Sequence, residues 1–187
     1  SDGGDDVQSA FENFMINTSK LSMGKDSTLR IPTGIRVLDT ILGGGFGMRF
    51  NLITGMPGGG KSALCASVVA SGQKLFGKEF ISIYCDSEEA MTKQRLSDLG
   101  VKNPSLEPTR ELSLEKVFKI LESLCAFKES HPKFLNIPSL VIIDSLSNLS
   151  TETALDADEY SQTMGAVKSN IMSYYLPKYI PKLNKYN

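Results

Sequence analysis

The run Gly55-Met56-Pro57-Gly58-Gly59-Gly60-Lys61-Ser62 constrains this chain more than any other stretch. Residues 50–54, just before it, read as a short apolar strand, and residues 63–76, just after it, read as a helix. A loop with so many glycines between a strand and a helix can turn its backbone N–H groups onto an anion, because no Cβ stands in the way. The helix after the loop points its positive end at the same place. Lys61 can neutralise the β- and γ-phosphates of a nucleotide, and the Ser62 hydroxyl can ligate magnesium. The expected contact set is Gly55, Met56, Pro57, Gly58, Gly59, Gly60, Lys61, Ser62 and Ala63, gripping the phosphates of a nucleoside triphosphate.

A chain of 187 residues suits one domain and can bury a core. Its net charge of −1 provides no bulk attraction for a polyanion, so nucleic-acid binding needs a local basic surface. Cys65, Cys85 and Cys125 lie apart in apolar stretches and read as buried free thiols of a reducing cytoplasm. His131 stands alone beside Pro132, which argues against a histidine metal site or triad. No apolar run reaches membrane-spanning length, and the acidic, polar start does not resemble a secretion signal. The absence of an initial methionine points to processing or to an excerpt from a longer protein.

Alternation of apolar runs with helical periodicity gives an α/β class with a parallel sheet flanked by helices. Residues 7–16 suit a short helix with Phe11, Phe14 and Met15 on one face, and residues 19–30 read as a linker. Thr33-Gly34 opens a second short helix, and Gly43-Gly44-Gly45 with Gly47 turns into the first core strand. The helix over residues 61–76 turns Leu64, Val68 and Leu75 inward. Residues 80–85 form a strand ended by Asp86, and residues 91–99 a helix stopped by Gly100. Leu114, Val117, Phe118, Leu121, Leu124 and Cys125 follow helical spacing, with Glu115 and Lys119 outside as an i,i+4 pair. Residues 140–143 are an unbroken apolar run ending at Asp144, as in a strand covered on both faces. Residues 156–175 are helical, and Pro177 and Pro181 should disturb the helix beyond Tyr175.

Two carboxylate positions extend the phosphate chemistry. Asp144, at the C-terminal end of a buried strand, can hold the magnesium shell beside the loop. The cluster Asp86, Glu88 and Glu89 sits just past another strand, at the sheet edge where ligands bind in open α/β folds. Glu88 is the candidate that orients and polarises an attacking water. These acids suit the N-terminal cap of the next helix equally well, and residue type alone leaves both readings open.

Four stretches, in this order and spacing, resemble the RecA family of recombinases, and most of all the UvsX-type recombinases of tailed phages. They are Ile31-Pro32-Thr33-Gly34-Ile35 through Asp39, the phosphate loop, Tyr84-Cys85-Asp86-Ser87-Glu88, and Ile142-Ile143-Asp144-Ser145-Leu146 with Asn148-Leu149. The resemblance implies a RecA-like P-loop NTPase using ATP and Mg2+, which assembles into filaments on single-stranded DNA in the cytoplasm of a bacterium or phage-infected cell. It makes Glu88 and Lys61 the catalytic pair and gives Ser62 and Asp144 the magnesium. It places Thr92 and Arg95 at the adenine, where the family more often has an aromatic in the position of Arg95.

On that likeness, residues 1–30 are a tail, short helix and linker, with residues 7–16 docking on a neighbouring subunit or else packing on their own core, and residues 31–187 are the N-terminal portion of the ATPase core. The core then ends before the strand that comes after Asp144, which implies either a truncated sequence or a split protein with a complementary C-terminal polypeptide as partner. Residues 150–160, in the place of the family's first DNA loop, hold Glu152, Asp156, Asp158 and Glu159 and no Lys or Arg, which is unfavourable for phosphate contact. Lys168, Lys178, Lys182 and Lys185 lie further on in the chain. The alternatives are a non-hydrolysing ATP-binding assembly subunit and a helicase-like or clock-type ATPase of the same fold.

Overall fold

Two apolar runs pair in parallel and organise the molecule. In the computed structural model, which describes residues 29–89, 91–102, 112–152 and 163–185, strand β3 (Ile81–Asp86) lies beside β4 (Ser139–Asp144). The register runs from Ile81 opposite Ser139 to Asp86 opposite Asp144. Parallel, in-register pairing therefore delivers both aspartates to one edge of the sheet, the edge where open α/β sheets hold ligands. Ahead of this pair, β1 (Arg30–Ile31) and β2 (Phe46–Gly47) form a small antiparallel ladder.

Side-chain alternation decides which helix covers which face. Tyr84 and Ile142 pack with Ala66 and Val69 of helix α2 (Lys61–Phe76) and with Leu96 of α3 (Lys93–Asp98). Ile83, Cys85, Val141 and Ile143 face the other way, toward α4 (Leu114–Ser130) and α5 (Thr163–Lys185). On that side Phe118 stacks on Tyr175 and Tyr179, with ring centroids 4.5 and 5.6 Å apart. The expected class holds: a parallel α/β sheet with helices on both faces.

The short helix α1 (Arg36–Ile41) is tied to α2 through Thr33. The Thr33 amide and hydroxyl both donate to Asp39 Oδ1, at 2.6 and 2.7 Å, and Ser67 Oγ donates to Thr33 O at 2.6 Å. Gly34 adopts φ +81°, and a Cβ there would lie 2.8 Å from Ser67 Oγ, so only glycine lets this turn settle on α2.

Several sequence expectations are corrected. Residues 50–54 are not a strand: nothing among the described residues pairs with them, and Phe50 and Leu52 are 45% and 68% exposed. An apolar sequence becomes a strand only when a neighbour takes its backbone hydrogen bonds. Leu75 faces solvent, and none of α1 is buried although it carries Val37 and Ile41. Glu115 and Lys119 both turn to Glu152: Lys119 Nζ lies 3.2 Å from its carboxylate, and Glu115 Oε2 accepts its amide at 3.0 Å. Helix α5 runs through Pro177 and Pro181 to Lys185. Both prolines are exposed, so water can satisfy the carbonyls that lose a donor. Arg30 belongs to β1 rather than to a linker. The expected N-terminal helix over 7–16 and most of the acidic segment over 150–160 lie outside the described residues.

Candidate nucleotide site

The phosphate loop closes as its glycines require. Gly58 and Gly60 take φ +73° and +85°, and Gly60 is the left-handed N-cap of α2. The Gly59 amide donates to Met56 O at 3.1 Å, which pulls the loop into a turn. The first amides of α2 have no partner within the helix, so they face the loop as donors. Lys61 Nζ sits over the loop, donating to Gly55 O at 3.1 Å and Met56 O at 3.0 Å. These carbonyls are neutral, so an anionic phosphate would draw the ammonium more strongly. Residues Gly55 to Gly60 are exposed, and Lys61, Ser62 and Ala63 are half-buried.

Asp144 is buried at the end of β4, and its Oδ2 accepts the Tyr84 hydroxyl at 2.6 Å. Burial, followed by this bond to Asp144, pushes the Tyr84 phenol well above its usual pKa, so it stays the donor. Cys65, one turn into α2, is pushed up to about 11 by burial and then by the Asp144 charge. Asp144 and Lys61 line one cavity, together with Ser145 and residues 50–53. Beyond Asp144 the Asp144–Ser145 peptide is cis. Ser87 clamps this end: its amide donates to Asp144 O at 2.7 Å, and its hydroxyl bridges the Ser145 amide and carbonyl at 2.9 and 2.8 Å.

The donor set suits a triphosphate with magnesium. Among the described residues no hydrogen bond reaches the Ser62 hydroxyl or Asp144 Oδ1, which leaves a neutral and an anionic oxygen for a hard cation.

The carboxylates past β3 divide their work. Asp86, 1% exposed, accepts from the Glu88 amide at 3.1 Å and the Met91 amide at 2.8 Å, so it is the one that braces the turn. Thr92, not an acid, caps α3, with its hydroxyl accepting the Arg95 amide at 3.1 Å. Glu88 is exposed, and no described residue engages its carboxylate. Glu89 takes φ +51°, a strained value for a non-glycine residue. Arg95 is exposed on α3. Sequence reasoning missed Tyr84 and Ser87. Their signal was available, since both sit in the same Tyr84-to-Glu88 run, but only strand register shows that they meet Asp144 and Ser145.

Comparison with known proteins places this geometry. The family model described as ATPase: KaiC matches residues 31–164. The DNA repair protein RadA of Brucella abortus (strain 2308) is 35% identical over 145 residues, covering 75% of this chain and 28% of RadA. The protein RecA of Thermus aquaticus is 28% identical over 159 residues, covering 84% of this chain and 43% of RecA. Protein RecA 2 of Myxococcus xanthus is 28% identical over 179 residues, or 92% and 47%. The chain thus spans from about a quarter to just under half the length of these relatives.

Proposed function

Because the chain belongs to the KaiC family of RecA-like P-loop ATPases, we propose that it binds ATP with magnesium, hydrolyses it, and serves recombination or repair by assembling on single-stranded DNA. The observation that carries the nucleotide part is the shared cavity of Lys61 and Asp144, at the end of the sheet where Asp86 and Asp144 emerge together. The relatives' names, RadA and RecA, support the recombination part. A UvsX-type phage recombinase is the finer form of this reading, and the cytoplasm its location. Among the described residues no helix is long and apolar enough to cross a membrane.

In this reading the loop from Gly55 to Ala63 wraps the phosphates. Lys61 neutralises charge that builds on the transferred phosphoryl group. Ser62 and Asp144 would hold magnesium, which supplies further neutralisation of that charge when bound. The uncommitted Glu88 carboxylate accepts a hydrogen bond from water and aims it at the terminal phosphorus. Thr92 and Arg95 approach the base, Arg95 through its guanidinium plane. Subunits associate through residues 7–16.

A second reading, an ATP-binding assembly subunit without turnover, is favoured by residues 150–160, which carry Glu152, Asp156, Asp158 and Glu159 and no cation to meet DNA phosphates. Turnover separates the two. Glu88→Gln should bind a fluorescent ATP analogue like the unmodified chain while releasing phosphate at least a hundredfold more slowly. Equal rates would remove Glu88 from the role, and no turnover in either protein would favour the assembly subunit. Stimulation by single-stranded DNA without duplex unwinding separates a recombinase from a helicase-like or clock-type ATPase.

A further inference from the structure

One side chain ties the turn after β3 to the turn after β4. Ser87 stands between Asp86, the last residue of β3, and Glu88. The strand register ends with Asp86 opposite Asp144, and Ser87 carries the connection past that point. Its amide donates to Asp144 O at 2.7 Å, its hydroxyl donates to Ser145 O at 2.8 Å, and the Ser145 amide donates back to that hydroxyl at 2.9 Å. The hydroxyl thus spends its donor and an acceptor site on one residue of the other turn. Glu88 is held from its other flank as well. Its amide and that of Met91 donate to the buried Asp86 carboxylate at 3.1 and 2.8 Å. Glu89 keeps φ +51°, a value that a non-glycine residue retains only where its surroundings fix it.

The exposed Glu88 carboxylate therefore rides on a backbone with little freedom, and that backbone is fastened to the residue that follows Asp144. Asp144 is itself held by Tyr84. We propose that Ser87 is a positioning residue, whose hydroxyl bridge to Ser145 sets where the Glu88 carboxylate stands relative to Asp144 and so relative to the terminal phosphate. This rests on the proposed reading in which Glu88 aims the water and Asp144 holds magnesium. Attack in line with the leaving oxygen tolerates little error, and a displacement of about 1 Å costs on the order of a hundredfold in rate. Ser87 does not line the cavity shared by Lys61 and Asp144, and the grip on the phosphates belongs to the loop before α2. The bridge therefore matters to the transition state and hardly at all to binding of the nucleotide.

Ser87→Ala removes the bridge, and Ser87→Thr keeps its hydroxyl. In the nucleotide-free chain, amide exchange should quicken about tenfold at both Ser145 and Glu88 in Ser87→Ala and stay near the parent rate in Ser87→Thr. Quickening confined to Ser145 would show that the turn bearing Glu88 does not feel the bridge, and would overturn the proposal. Calorimetry with magnesium then compares two complexes. ADP with aluminium fluoride imitates the phosphoryl group in transfer, and ADP with beryllium fluoride imitates bound ATP. Ser87→Ala should weaken the first about tenfold and the second less than about twofold, with Ser87→Thr close to the parent for both. Equal losses for the two complexes, or no loss for the first, would also overturn it. In phosphate release Ser87→Ala should lower kcat about tenfold at an unchanged KM. Combined with Glu88→Gln it should cost no more than Glu88→Gln alone. Additive losses would place Ser87 outside the action of Glu88. A parent chain that binds neither complex would sink the nucleotide reading and the role of Ser87 with it, whereas tight binding indifferent to Ser87→Ala removes Ser87 alone.

Discussion

The Tyr84 hydroxyl reaches diagonally from β3 to β4 and donates to Asp144 Oδ2 at 2.6 Å. Tyr84 is in register with Ile142, two residues before Asp144 on the same face, so strand pairing alone sets this contact. It fixes the orientation of the Asp144 carboxylate. Tyr84→Phe should cost about 1–3 kcal/mol in urea unfolding, because a buried carboxylate oxygen loses its donor. If Asp144 holds the cation, the magnesium needed for half-maximal binding of an ATP analogue should also rise. A stability loss with an unchanged magnesium requirement would make the bond purely structural.

Lys61 should separate binding from folding. Among the described residues its ammonium meets only the Gly55 and Met56 carbonyls of an exposed loop, so Lys61→Ala should change unfolding by no more than about 0.5 kcal/mol. If Lys61 meets phosphate as proposed, the same change removes a charge-assisted contact worth about 1.5–3 kcal/mol, or roughly 10–150-fold in affinity for an ATP analogue. Calorimetric titration of both proteins gives the comparison.

Thr33 holds α1 against α2 through a buried hydroxyl. Thr33→Val keeps the shape but deprives Asp39 Oδ1 of one of its two donors, and it should cost about 1–2 kcal/mol. Gly34→Ala should be worse than a simple loss of glycine freedom, since φ is +81° and the new methyl would meet both Ser67 Oγ and Ser71 Oγ within 2.9 Å. Urea midpoints of the two variants rank them.

Lys128 predicts a pH dependence. Its side chain is 2% exposed and Nζ donates to Ile137 O at 2.6 Å. Burial lowers its pKa from 10.5 to about 8, with nearby Cys125 acting in the opposite sense. Above about pH 8 the folded chain releases this proton while the unfolded chain keeps it until near 10.5. The unfolded state then binds more protons, so this group adds stability as pH rises through that window and costs stability below it. Cys65 and Cys85, both pushed up to about 11 by burial, act in reverse above pH 9. Lys128→Met isolates the lysine: from pH 7 to 8.5 the parent should gain stability relative to the variant. A constant difference would show that the ammonium is well solvated.

The phosphate loop was legible because its chemistry is local. Glycine conformations, a lysine and a serine at fixed spacing need only the backbone of one turn, and Gly58, Gly60 and Lys61 stand as that spacing requires. The unbroken run before Asp144 marked β4 for a similar reason, since few other structures hide four consecutive apolar residues. The same reasoning failed at residues 50–54, where strand-forming residues have no pairing neighbour among the described residues. It failed again at Glu115 and Lys119, whose actual partner, Glu152, is distant in sequence.

By itself the sequence determined the P-loop, the two aspartate-ended strands and the α/β class, because each depends on spacing within a few residues. Only the tertiary structure decided that Tyr84 meets Asp144, that Ser87 clamps the turn after it, and that β4 pairs in parallel with β3. These depend on strand register and on which backbone groups find partners, and pairing across 60 residues leaves no periodic trace in either segment.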